Sequence, residues 1–171
     1  MSGGAPPAVL VVGLGNPCRR DDGVGAVVAE QAVAAARAAG AAGGSSATAE
    51  VSSFGPLQDP LDLLAVWDEA DVLVLVDAAR SGEAPGTVRE LHLSLTPFTS
   101  PPSDVSTHVL GLDRVLRLAA LVGERAPSVR LVTIEGQDFT NGTGFSAAVE
   151  AAVGPAVERV AALVAEVARC V

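Results

Sequence analysis

The chain has 171 residues, 49% of them hydrophobic, 18% charged and only 3% aromatic, which fits one globular domain over residues 1–171 and excludes a disordered or collagen-like chain. Its positive charge rests on 11 arginines with no lysine, against 20 acidic residues, for a net charge of -9. Nucleic acid and anionic membrane are therefore excluded as partners, because neutralising phosphates needs a basic face.

The chain opens without a basic segment before its first apolar run, and no apolar stretch approaches the roughly 20 residues that span a bilayer, so neither export nor anchoring is expected. Cys18 and Cys170 lie at opposite ends with no pairing pattern, which fits a reducing cytoplasm.

Ala8 to Leu14 (AVLVVGL) reads as a strand buried on both faces. Gly23 onward reads as a helix, preceded by Asp21 and Asp22 and closed by Gly40. Ala47 to Ser53 alternates like a second strand, and Leu57 to Asp68 predicts a short helix. Asp71 to Asp77 (DVLVLVD) is the clearest strand, apolar throughout and ending in an acid. The short turn Ser81 to Gly86 predicts that Thr87 to Leu93 returns antiparallel beside that strand. Val105 to Leu121 is helical in period, Val129 to Ile134 is a fifth strand, and Ser146 to Val171 is a long helix in which Pro155 predicts a kink or break at Gly154. Strands alternating with helices give a three-layer α/β domain.

The first strand runs into Gly13-Leu14-Gly15-Asn16-Pro17-Cys18-Arg19-Arg20-Asp21-Asp22-Gly23-Val24-Gly25. A dinucleotide fold needs a third glycine where Cys18 stands, and an acid after the second strand where Ser52-Ser53-Phe54 stands. Without lysine there is no P-loop either. What remains is a glycine-rich turn presenting paired aspartates at a helix start. One of the pair is expected to cap that helix while the other stays free. Asp77 ends a buried parallel strand, where it either initiates a turn or points into the crevice in which such sheets bind ligands. His108 sits near the start of a helix, and His92 alternates on a strand as a surface residue. Cys18 reads as a small filler with no histidine near it in sequence. Asp22, Asp77 and His108 then come from three loops at one sheet edge, and two carboxylates with an imidazole suit a borderline divalent metal such as nickel or zinc.

G-x-G-N-x-x-x-x-D-D-G-x-G on the first strand, VLVLVDAA on the third, and Ser106-Thr107-His108-Val109-Leu110-Gly111-Leu112 opening a helix resemble the hydrogenase maturation endopeptidases over nearly the whole chain. That resemblance implies a three-layer α/β/α sandwich of phosphorylase/hydrolase-like type, its mixed five-stranded sheet having an antiparallel fourth strand. It implies a cytoplasmic, aspartic-type endopeptidase that removes the C-terminal extension of a nickel-iron hydrogenase large-subunit precursor once nickel is inserted. By the same resemblance Asp22, Asp77 and His108 bind the metal, with Asp22 and Asp77 catalytic. The nickel is expected to arrive in the substrate, none being held tightly by the isolated protein. Asn16, Asp21, Gln137 and Asp138 are the expected substrate-binding residues.

One departure stands out. Many family members carry Asp-Gly-Gly-Thr after the second strand, whereas this chain has Ser53-Phe54-Gly55-Pro56, with Asp59 and Asp62 shortly after as candidate substitutes. Two other readings use the same acids: a nickel-dependent assembly factor that inspects the large subunit without cutting it, and a zinc-dependent small-molecule hydrolase.

Overall fold

A computed structural model of the chain describes residues 7–42, 49–93, 107–124 and 127–170. Five strands, β1 (Ala8–Leu14), β2 (Glu50–Leu57), β3 (Val72–Ala79), β4 (Val88–Leu93) and β5 (Ser128–Glu135), form one sheet in the order β2-β1-β3-β5-β4. The β1–β2, β1–β3 and β3–β5 pairs are parallel, and β4–β5 is antiparallel. Helices α1 (Val24–Ala42), α2 (Thr107–Val122) and α3 (Ala147–Cys170) complete the architecture.

Strand alternation divides the core in two. Val9, Val11, Val72, Val74, Val76, Val132 and Ile134 face α1 and α3, meeting Val24, Val28, Ala32, Ala156, Val160 and Leu163. Leu10, Val12, Leu73, Leu75, Val129 and Leu131 face the other way, toward Leu112, Leu116 and Ala119 of α2 and the buried Leu63 and Trp67. The sheet is thus covered on both faces, as a largely parallel sheet requires.

Several expectations are corrected. The fourth strand is antiparallel but does not lie beside its predecessor, because β5 is inserted between β3 and β4. The second strand begins at Glu50 and runs on to Leu57, through Gly55-Pro56, since a proline is tolerated at the edge of a sheet. The short helix over 57–68 is instead two 3-10 turns, Pro60–Ala65 and Trp67–Glu69. Asp59 caps the first of these by accepting from the Leu61 N–H at 2.9 Å. Helix α3 continues unbroken through Pro155. The carbonyl of Ala151, which loses its usual N–H partner to the proline ring, belongs to an exposed residue on the solvent side of the helix.

Two glycines of the first motif seat α1 against the strand ends. At Gly15, φ is +107°, and a Cβ would lie 1.9 Å from the Asp22 carbonyl oxygen. A Cβ at Gly25 would stand 2.3 Å from the Val76 carbonyl oxygen and 2.6 Å from that of Leu14. Only a bare backbone allows the start of α1 to touch β1 and β3 at once. That contact brings the residues before α1 to the carboxyl end of β3.

Candidate functional site

The segment between β1 and α1 makes one 3-10 turn, Arg20–Gly23. Adjacent residues on such a turn diverge by about 120°, and the two aspartates have different fates. Asp22 stays half-buried at the sheet edge. One of its carboxylate oxygens accepts the Asn16 N–H at 3.0 Å.

Asp21 turns inward and is fully buried. One oxygen accepts the Gln137 and Asp138 N–H groups, each at 2.8 Å, and the other accepts the Ser146 N–H at 2.6 Å. Burial alone raises the pKa of a carboxyl, but the N–H groups of Asp138, Ser146 and Gln137 outweigh it and hold Asp21 below the usual carboxylate range. This corrects two expectations: Asp21 neither caps α1 nor offers a surface to a substrate. It clamps the loop after β5 to the loop after β1.

Asp77 lies near the carboxyl end of β3, opposite Thr133 of β5. By strand alternation its side chain belongs to the face that carries Leu73 and Leu75. Burial pushes its carboxyl up to about 7; the Ala78 N–H opposes the shift, and the charge of Asp22 adds to it. The structure therefore brings Asp22 and Asp77 close enough to feel each other's charge. His108 lies in the first turn of α2; its side chain falls outside the described residues.

Asp22 and Asp77 supply carboxylate donors of the kind that divalent cations take. Two carboxyls face each other electrostatically, and a cation between them relieves both their mutual repulsion and the burial of Asp77. Among the described residues no group of three His, Cys, Asp or Glu side chains is arranged to hold a metal ion by itself.

Of the other expected contact residues, Asn16 touches this pair through Asp22, whereas Gln137 and Asp138 are tied to Asp21. The Asn16 side-chain carbonyl accepts the Cys18 N–H at 2.9 Å and shapes the first loop. Gln137 is exposed. Asp138 accepts from the Thr140 hydroxyl at 2.7 Å and the Thr140 N–H at 2.9 Å, and one of its oxygens lies 3.4 Å from Nε of Arg20. The Thr140 hydrogen bonds, and then the Arg20 charge, hold its carboxyl below the usual range. Cys18 is exposed and fills no space in the core. His92 is exposed on β4.

Glu135, expected to open the polar loop Glu135 to Phe145 and to offer an acid there, instead ends β5 and is 4% exposed. Its carboxylate accepts the Ser81 N–H at 2.8 Å, the Ser81 hydroxyl at 2.7 Å and the Gly82 N–H at 2.9 Å. The only local signal was an acid closing an apolar strand, the same signal that Asp77 gives.

A family model described as hydrogenase maturation protease, HycI, matches residues 58–163, a span that includes Asp77 and His108 but not Asp22. The hydrogenase expression/formation protein HupD of Thiocapsa roseopersicina is 26% identical over 153 residues, which cover 89% of this chain and 65% of that protein, a little under two-thirds of the relative's length. Among solved structures, the hydrogenase maturating endopeptidase HybD from E. coli has a TM-score of 0.68 at 28% identity, with 93% of each chain covered. The [NiFe] hydrogenase maturation protease HybD from Thermococcus kodakarensis has a TM-score of 0.62 at 24% identity, covering 92% of this chain and 99% of that one, a likeness of fold.

Proposed function

The chain belongs to the hydrogenase maturation protease family, and from that premise we propose that it removes the C-terminal extension of a nickel-iron hydrogenase large-subunit precursor after nickel insertion. Asp22, Asp77 and His108 read the metal carried by that precursor, which is substrate rather than resident cofactor. The reaction takes place in the cytoplasm; no described helix is long and apolar enough to cross a membrane.

The observation that carries this reading is the electrostatic state of Asp77. A carboxyl pushed up to about 7 by burial, with the charge of Asp22 adding to the shift, is arranged to receive either a cation or a proton near neutrality. Both fit hydrolysis of a peptide bond. Held by the precursor's own ligands and by these carboxylates, nickel polarises the scissile carbonyl or an attacking water. A carboxylate of the site that the metal does not engage takes the proton of the water and returns it to the leaving amine. Asn16 and its loop fix the orientation of Asp22 through the Asn16 N–H. The one described cysteine in these loops, Cys18, is exposed on the first loop, and water rather than a side chain is the nucleophile in this reading.

The test is to incubate the purified chain with nickel-loaded precursor and to follow the precursor's mass. Loss of the C-terminal segment supports the proposal. Cutting of a metal-free precursor in the presence of a strong chelator overturns the role given to nickel, and an intact precursor overturns the protease reading.

A further inference from the structure

Arg80 directly follows β3, three residues beyond Asp77. Its guanidinium lies over the ring of Phe139, 4.4 Å from the centroid. Most described arginines are engaged elsewhere. Arg89 pairs with Glu83, Arg117 with Asp113, Arg130 and Arg159 with Glu90, and Arg20 with Asp138, while Arg37 donates to the Val51 carbonyl. Arg80 is exposed and faces no carboxylate among the described residues.

The surroundings pin the backbone on both sides of this residue. On one side of it, the Ala79 carbonyl accepts the Gly136 N–H at 2.9 Å. On the other side, Ser81 and Gly82 are bound by the buried Glu135 carboxylate. The Phe139 ring is packed against the core and sits so close over Gly136 that a Cβ there would lie 2.4 Å from its Cζ. An exposed arginine on a pinned backbone, with its guanidinium carbon over a packed ring, loses less freedom on binding than a free one. A guanidinium held over a ring keeps N–H donors for a planar, two-oxygen partner.

We propose that Arg80, seated on Phe139, binds a carboxylate of the peptide that this site processes. The inference rests on the protease reading and extends it to specificity. Three residues of backbone separate Asp77 from Arg80, roughly 10 Å, with Asp77 on the α2 face of the sheet and the Phe139 platform on the α1–α3 face, so a peptide that meets both crosses the carboxyl edge of the sheet. In a chain of net charge -9, and beside Asp22 and Asp77, an acidic peptide is repelled. Arg80 marks the place where one negative charge is accepted. That charge comes either from an acidic side chain or from the peptide's terminal carboxylate.

The test compares the full-length wild-type chain with Arg80→Gln and Arg80→Lys on the nickel-loaded precursor. Arg80→Gln is expected to raise KM about tenfold and to leave kcat within about twofold, with the melting temperature unchanged. Arg80→Lys recovers part of the loss, since an ammonium supplies charge but not the fork. A second arm reads binding alone, following the Arg80 side-chain Nε–H NMR signal during titration with synthetic peptides of the precursor's C-terminal segment. A shift lost on amidating the terminus identifies the terminal carboxylate; a shift lost on changing acidic side chains to amides identifies a side chain. A shift that survives removal of both charges, or an Arg80→Gln KM equal to that of wild type, overturns the proposal. If wild type leaves the precursor uncut, the protease reading fails, and the titration still decides whether Arg80 takes a carboxylate.

Discussion

Asp21→Asn separates two accounts of the first aspartate of the pair. As a helix cap it is worth about 1 kcal/mol. As the clamp seen in the structure it is worth considerably more. One of its oxygens accepts two N–H groups at 2.8 Å and the other accepts one at 2.6 Å, all in a fully buried setting. Asparagine keeps only one carboxamide oxygen, so its NH2 must face either the Gln137 and Asp138 donors or the Ser146 donor. Charge-assisted bonds contribute about 1.5 to 3 kcal/mol each, and a buried donor left facing a donor loses its partner outright. The expected loss is about 3 to 5 kcal/mol, a large part of the stability of a domain this size. Urea unfolding at pH 7 measures it. The pH dependence gives a second reading. The folded pKa of Asp21 lies below its unfolded value of 3.8, so its contribution is full above that value and is lost as pH falls through the folded pKa. The gap between wild type and variant should therefore narrow under acid. A loss of 1 kcal/mol or less at pH 7, or a gap independent of pH, refutes the clamp.

Asp77→Asn should abolish processing yet stabilise the fold. The folded pKa, about 7, stands above the unfolded 3.8, so the stability linked to this carboxyl is full below 3.8 and lost as pH rises through 7. The full shift corresponds to about 4 kcal/mol, and the partial solvent contact of Asp77 brings the expected gain to about 1 to 2 kcal/mol at pH 8, checked by melting curves. Asp22→Asn should abolish processing and lower the midpoint of the Asp77 titration, followed by NMR of its carboxyl carbon, because the charge of Asp22 is one of the causes raising it. His108→Ala should remove processing without a change in melting temperature; a variant that still cuts at the wild-type rate excludes His108 from the site. Gly25→Ala should lower stability by more than about 3 kcal/mol in urea unfolding, since its Cβ would stand 2.3 Å from a backbone oxygen of β3.

The strands were legible where burial alone writes the pattern. β1 and β3 are nearly apolar runs because each has both faces covered, and no solvent face dilutes the signal. The place of β4 was not legible, because a contact distant in sequence decides it. The buried Glu135 carboxylate, 54 residues from Ser81, draws the Ser81–Gly82 turn over the end of β5. The Gly86 N–H then reaches the Glu135 carbonyl, and β4 starts on the far side of β5. A short turn between two strands implies antiparallel neighbours only when nothing at the turn binds elsewhere. The extra length of β2 was hidden for the opposite reason: phenylalanine, glycine and proline read as punctuation, and only the edge position of the strand makes them tolerable.

The paired aspartates show most sharply what a local pattern leaves open. Asp-Asp-Gly before a helix carries the same charge and the same helix-start signal at both positions, so composition assigns them one role between them. The 3-10 turn separates them. With three residues per turn rather than 3.6, neighbouring side chains are about 120° apart, and a turn that aims Asp22 at the sheet edge aims Asp21 into the protein. Whether an inward carboxylate is tolerated then depends on three N–H groups from residues 137, 138 and 146, more than a hundred positions away. Those groups open the loop that carries Phe139, the platform for Arg80. The buried Asp21 carboxylate therefore ties two loops together: the turn that carries Asp22, which the two residues share, and the loop that carries Phe139.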